Sequence, residues 1–205
     1  MQRVTLVVWS DYLCPWCYNA SVRLHRVEQE FAPQLRVEWR SYLLRPNPGH
    51  TRDAARFRAY TRSWRRPAAE PDGGTFSEWS GDAPPPSHSV PAHRVAKAAA
   101  QVSDGAFRRM HDRLLRAYFS ENRDISDDVT LRGLWLEVGL SPADFERREE
   151  PLILEHILGE HAAALEAGAT GVPAVQLVGN DAVIVGAQPL ELYRRWITRS
   201  LERGT

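Results

Sequence analysis

The chain has 205 residues, 43% of them hydrophobic and 25% charged, and its 26 basic and 26 acidic side chains give a formal net charge of zero. This size suffices for one domain with an insertion, or for two small lobes, without structural disulfides. The balanced charge argues against a nucleic-acid-binding surface, and no apolar run approaches membrane-spanning length. Because the N-terminus lacks the features of a secretory signal, we expect a cytoplasmic protein.

The first predicted elements are a strand, a helix and a second strand. Residues 4–9 are mostly β-branched or large and apolar, which is typical of a buried strand. Apolar residues then recur with helical spacing at Ala20, Leu24, Val27 and Phe31, and Pro33 ends the pattern. Residues 35–43 alternate in polarity, as in a strand. This order and length predict a βαβ unit.

The middle of the chain is predicted to be mostly helical. The expected helices cover residues 53–64, 92–102, 104–119, 126–138 and 152–167, with another opened by Ser141 and Pro142. Ser126 is the expected cap of its helix. Residues 66–91 are rich in proline and glycine and indicate a long loop. Loops of this length are usually lids, binding loops or mobile segments.

Sheet structure is predicted to resume near the C-terminus. Residues 174–178 and 182–185 read as two short strands joined by a hairpin turn, and Pro189 opens a final amphipathic helix. We therefore expect an α/β fold in which residues 1–45 and 169–205 form one domain. Residues 46–168 would form a mostly helical insertion.

The two cysteines of the chain are both in the segment Cys14-Pro15-Trp16-Cys17, between the first strand and the first helix. Structural disulfides are rare in the cytosol, which favours a working dithiol. A structural zinc site needs four ligands, and no second Cys-x-x-Cys exists, so we predict no metal site. Lone histidines such as His111 are interpreted as surface or packing residues.

The arrangement resembles the DsbA-like thioredoxin superfamily in its FrnE-like branch. The matching segments are Trp9-Ser10-Asp11-Tyr12, Cys14-Pro15-Trp16-Cys17-Tyr18, Gly171-Val172-Pro173-Ala174 and Gly186-Ala187-Gln188-Pro189. The resemblance implies a thioredoxin fold (βαβ…ββα) interrupted by the helical insertion. It also implies a protein disulfide oxidoreductase or isomerase that acts on a protein or small-thiol partner and needs no cofactor beyond its own Cys14–Cys17 pair.

Two related groups on this fold provide the first alternative. Hydroxychromene carboxylate isomerases and kappa-class glutathione transferases usually carry Ser where this chain has Cys14. The transferases also place a Ser-Asp pair for glutathione where this chain has Ala187 and Gln188. Both departures argue against a glutathione-dependent isomerase or transferase. A non-enzymatic module that binds a soft metal or a partner through the reduced pair is the second alternative. The substrate, the direction of electron flow and the oligomeric state stay open.

Cys14 is the predicted nucleophile and Cys17 the resolving thiol. Helix N-termini favour anions, and helix N-termini and Cys-x-x-Cys motifs lower the pKa of a thiol from about 8.5 into a range of about 3.5 to 7.5. We therefore expect a useful fraction of Cys14 to be a thiolate at neutral pH. The thiolate is the form that attacks a disulfide. Cys17, one helical turn deeper, would then resolve the mixed disulfide formed at Cys14.

The remaining candidates surround this pair. Pro15 and Trp16 are the candidate substrate-binding residues between the sulfurs. Pro15 also suits a first helical turn, and Trp16 would offer the substrate an apolar contact near the reactive sulfur. The family resemblance implies a cis peptide bond before Pro173, which would face the dithiol. It also implies that the backbone of Val172 pairs with an extended substrate peptide. Asp11 is interpreted as a cap of the first helix, with a proton relay as the alternative.

Overall fold

The computed structural model describes residues 3–49, 52–80 and 83–203. It contains a four-stranded mixed sheet in the order β2-β1-β3-β4. The strands are β1 (Val4–Ser10), β2 (Leu35–Ser41), β3 (Ala174–Leu177) and β4 (Val183–Val185). β1 pairs in parallel with β2 and antiparallel with β3, which pairs antiparallel with β4. The predicted α/β class is confirmed.

Helices cover both faces of this sheet. Leu6 and Val8 of β1 pack with α1 (Pro15–Glu30) and α8 (Leu190–Arg203). Val7 and Trp9 point the other way and pack with the C-terminal half of α7 (Pro151–Glu166). Because side chains alternate along a strand, burial on both faces explains why β1 is a continuous apolar run.

The segment between β2 and β3 is largely helical. Besides α7 it contains α2 (Ala54–Thr61), α3 (Arg65–Ala68), α4 (Val90–Val102), α5 (Asp104–Phe119) and α6 (Asp128–Glu137), with 3-10 turns at Arg62–Trp64 and Pro142–Glu149. Helical turns thus continue into the first residues of the predicted loop. The cap of α6 is Asp127, whose side chain accepts a hydrogen bond from the Thr130 N–H, and not Ser126. Both residue types are good caps, so the sequence could not separate them.

The long loop is fastened to α1. The Asn19 side chain donates to the Pro67 carbonyl at 2.9 Å and accepts from the Gly74 N–H at 2.9 Å. A Cβ on Gly74 would lie 2.4 Å from the Tyr18 ring, so this approach requires glycine. Trp79 is buried in the core of the helical segment. These contacts argue that residues 67–80 are a packed strap rather than a free lid, while residues 81 and 82 lie outside the described part of the chain.

The turn between β1 and α1 joins the two halves of the fold. Tyr12, Leu13 and Tyr18 belong to the same buried cluster as Trp64 and Phe119 of the helical segment. The turn between β1 and α1 is therefore held from both sides, while the proposed division into two domains stays a prediction. Within the described ranges, none of the helices combines the length and the apolar character needed to cross a bilayer.

Candidate active site

Cys14 is itself the cap of α1. Its backbone is extended (φ −95°, ψ 114°), and its Sγ accepts a hydrogen bond from the Cys17 N–H at 3.3 Å. Pro15 follows at the start of the helix, where its missing N–H costs nothing. The interpretation of Asp11 as the cap is therefore wrong. The sulfur occupies the position where unpaired helical N–H groups favour negative charge.

The Asp11 side chain instead stabilises the turn that leads into α1. Its carboxylate accepts hydrogen bonds from the Leu13 N–H at 2.7 Å and from the Leu44 N–H, beyond β2, at 2.9 Å. Its carbonyl accepts from the Cys14 N–H at 3.1 Å. Because Asp11 is 1% exposed, these bonds replace its contacts with water. Through these hydrogen bonds Asp11 stabilises the turn and so positions Cys14 at the start of α1.

The loop before β3 also contacts the Cys14 sulfur. The peptide bond between Val172 and Pro173 is cis, as the resemblance implies. The Val172 carbonyl lies 3.3 Å from Cys14 Sγ and accepts a hydrogen bond from the thiol. The Gly186 N–H, at the end of β4, donates to the Pro173 carbonyl at 2.8 Å. Two segments far apart in sequence thus meet at the sulfur.

The two thiols differ in environment, and both are reduced in this structure. Cys17 is 1% exposed. Burial, and then its hydrogen bond with Cys14, raises the pKa of Cys17 well above its ordinary value. Cys17 therefore keeps its proton at neutral pH. This asymmetry suits a pair in which one sulfur attacks first and the other resolves.

Both sulfurs belong to buried residues, Cys14 being 5% and Cys17 1% exposed. Pro15 and Trp16 are half-buried between the two sulfurs. Two cavities of about 1030 and 560 Å³ border α1, but neither is lined by Cys14 or Cys17.

A buried polar cluster behind the turn was not predicted from the sequence. The Tyr12 hydroxyl and His111 Nδ1 are hydrogen-bonded at 3.0 Å, and His111 Nε2 and the Ser21 hydroxyl at 3.0 Å. Burial, with a smaller contribution from His93, lowers the pKa of His111 to about 3, so its ring is neutral. His93 Nε2 lies 3.6 Å from the Asp11 carboxylate. A helical wheel would have placed His111 beside the apolar stripe of α5.

No metal centre emerges from this cluster. Across residues 3–49, 52–80 and 83–203, no three His, Cys, Asp or Glu side chains converge in a way that could hold an ion. The histidine rings are engaged by aromatic neighbours instead: the Tyr12 ring contacts those of His93 and His111 at centroid distances of 4.9 and 5.4 Å.

Comparison with known proteins agrees with this geometry. An uncharacterized protein of Bacillus subtilis, YwbO, is 27% identical over 201 residues, covering 95% of this chain and 96% of its own. A putative protein disulfide isomerase from Nitrosomonas europaea superposes with a TM-score of 0.82 at 17% identity, covering 98% and 99% of the two chains. The cytosolic disulfide reductase DsbM from Pseudomonas aeruginosa, which has also been crystallised with GSH, superposes with a TM-score of 0.75 at 23% identity, covering 97% and 99%.

These likenesses confirm the thioredoxin fold expected from the sequence. The profile of the DSBA-like thioredoxin domain matches residues 5–198, nearly the whole chain. The chain therefore belongs to the DsbA-like thioredoxin domain family.

Proposed function

We propose that the protein is a thiol–disulfide oxidoreductase that works through Cys14 and Cys17. One observation carries the proposal: the Cys14 sulfur caps α1 and accepts the Cys17 N–H, while Cys17 itself is buried behind it. Helix N-termini stabilise a sulfur anion, and a buried second thiol three residues later can close a disulfide with it. No metal or organic cofactor is needed for this chemistry.

The reaction would have two exchange steps. The Cys14 thiolate attacks a substrate disulfide, a bond forms between Cys14 and one substrate sulfur, and the other substrate sulfur leaves and takes a proton. Cys17 then loses its proton and attacks Cys14, which closes the internal disulfide and releases the second substrate thiol. A thiol reductant resets the pair. In the reverse direction the same steps oxidise a dithiol substrate.

The substrate is proposed to be an extended peptide segment of a protein, or a small thiol. Val172 would present its backbone to that segment as an added strand, and Trp16 would contact it beside the sulfur. The thiol of Cys14 is the donor to the Val172 carbonyl in this structure. Ionisation of Cys14 removes that donor and frees the carbonyl for a substrate N–H. DsbM, a structural neighbour, is described as a cytosolic reductase, which supports our proposal of a cytoplasmic location.

The glutathione-dependent alternative has a specific observation against it. The Gln188 amide group donates to the carbonyls of Val185 and Gly186, at 3.4 and 3.2 Å, and so is turned back onto its own loop. The resemblance implies that the related transferases place a carboxylate at this position for the γ-glutamyl end of glutathione. The Gln188 amide is uncharged and is hydrogen-bonded to backbone carbonyls, so it does not supply the negative charge of a carboxylate.

The test is insulin reduction with the wild type, Cys14→Ser and Cys17→Ser. We expect turnover only with the wild type, and a trapped mixed disulfide with insulin only in Cys17→Ser. Full insulin reduction by Cys17→Ser would contradict the proposal and favour chemistry that needs a single thiol. Tight uptake of a soft metal without turnover on any disulfide would favour the non-enzymatic alternative.

A further inference from the structure

His93, on helix α4, lies against the active-site turn without an assigned role. The residue is 3% exposed, and its Nε2 has no hydrogen-bond partner among the described residues. That nitrogen is 3.6 Å from the Asp11 carboxylate. The carboxylate itself accepts a hydrogen bond from the Leu13 N–H. An unpartnered buried imidazole beside a buried carboxylate costs stability, so the arrangement calls for a functional explanation.

The charges in the turn between β1 and α1 indicate the role of His93. Asp11 has no Lys or Arg ion-pair partner in the described part of the chain, and His93 is the basic side chain that lies within ion-pair distance of its carboxylate there, at 3.6 Å. When Cys14 ionises, a second negative charge is added to the same turn. In a buried setting two such charges repel strongly unless a positive charge forms nearby.

The other basic side chains around His93 are either paired with a carboxylate or have a lowered pKa. Lys97, one turn further along α4, is paired with Glu160 at 2.6 Å. His111 of α5 is kept neutral by burial. The His161 ring of α7 accepts the Leu43 N–H at Nδ1, and burial lowers the pKa of His161. None of these three can readily add a positive charge near Asp11.

We propose that His93 is a positioning residue for thiol–disulfide exchange, which takes up a proton when the Cys14–Cys17 disulfide is reduced and so balances the charges of Asp11 and the Cys14 thiolate. The inference rests on the proposed function. In the balanced step, two substrate thiols give up two electrons and two protons and become a disulfide. The S–S bond between Cys14 and Cys17 breaks, one proton goes to Cys17 and the other to His93, and Cys14 is left as a thiolate.

The first test follows the histidine rings of the unmodified protein by NMR while pH is varied, in the oxidised and in the reduced state. We expect the His93 ring to take up its proton at a higher pH in the reduced protein, because the thiolate attracts it. His88, which is hydrogen-bonded to Ser87 on another loop, serves as the internal control and should titrate alike in both states. Identical His93 titrations in the two states would overturn the proposal.

The second test compares His93→Gln with the matched control His88→Gln. Loss of the imidazolium should slow alkylation of Cys14 by iodoacetamide roughly threefold to tenfold near pH 6.5. In alkaline buffer the rates should converge, because an imidazole carries no positive charge there. A merely structural role would not produce this pH profile. Equal rates for His93→Gln and wild type at every pH would contradict the inference.

These outcomes are separable from failure of the proposed function. If the wild type exchanges no disulfide with insulin, the proposed function is wrong whatever His93 does. If exchange proceeds while both His93 tests are negative, only the inference is wrong. Should His93→Gln fail to fold, the NMR titration of the wild type decides alone.

Discussion

The Cys14 sulfur lies 3.3 Å from the carbonyl oxygen of Val172, although the two residues are 158 positions apart in the chain. The antiparallel pairing of β1 with β3 creates this contact, because it places the last residues of β1 beside the first residues of β3. The Cys14 sulfur is thus positioned by the sheet, by the helix that it caps and by the hydrogen bonds of Asp11.

The close approach of the loop to α1 predicts a steric effect at Gly74. Gly74→Ala would place a Cβ 2.4 Å from the Tyr18 ring, which is itself packed against Phe76 and Phe119. We expect a loss of unfolding free energy of about 1 to 3 kcal/mol, the usual cost of overpacking. Urea denaturation followed by circular dichroism measures it.

Gly159 provides the matched control for that experiment. It lies within α7, and a Cβ there meets no atom within 4 Å. Gly159→Ala should stabilise the protein by up to about 1 kcal/mol through helix propensity. Equal effects of the two substitutions would show that the loop does not approach α1 as described.

The neutral state of His111 predicts a dependence of stability on pH. Its pKa falls to about 3 in the folded protein through burial, whereas an unfolded histidine titrates near 6.5. Below about pH 6.5 the unfolded chain therefore binds a proton that the folded protein excludes, so this contribution to stability is lost as pH falls. Between about pH 7.5 and pH 4.5 the loss should be roughly 2 to 3 kcal/mol.

Unfolding by urea at several pH values, for wild type and His111→Gln, isolates that contribution. The variant should be less stable near neutral pH, since it loses the hydrogen bonds to Tyr12 and Ser21, but its stability should fall less steeply as pH is lowered. Parallel curves for the two proteins would contradict a neutral buried ring.

The ion pair between Lys97 and Glu160 predicts a strong effect of removing one partner. Burial by itself would raise the pKa of Glu160, but Lys97 at 2.6 Å and the Ser41 N–H hold it below its ordinary value. Lys97→Met leaves the carboxylate without that partner and should cost about 3 kcal/mol, because a buried charge loses its compensation.

The double variant Lys97→Met with Glu160→Gln tests whether the lost compensation causes that effect. It should recover part of the stability, since the charge that needed a partner is gone. If the loss of unfolding free energy in the double variant equals the sum of the losses in Lys97→Met and Glu160→Gln, the two side chains are not coupled as the structure indicates.

The sequence predicted the fold well where local patterns determine it. The alternating residues of β2, the helical stripe from Ala20 to Val27 and the hairpin after residue 174 all lie in the expected elements, and Phe31 directly follows α1. The cysteine pair was also placed correctly, between β1 and α1. These features depend on spacing within a few residues, which periodicity records directly.

Contacts between distant segments were not predictable in this way. Asp11 looked like a helix cap because it shortly precedes α1, yet its carboxylate is used by Leu13 and Leu44. The partners of a buried polar side chain come from other elements, so His93 and the Lys97–Glu160 pair could be found only once the helices were packed. The packed state of the long loop likewise depends on Asn19, far upstream of it.

The most direct test of the whole account is the alkylation of the two thiols in the reduced wild type by iodoacetamide, read residue by residue by mass spectrometry. We expect Cys14 to be modified first, while Cys17, whose pKa is raised by burial, stays unmodified in the folded protein. Equal labelling of both residues, or labelling of Cys17 before Cys14, would contradict the account.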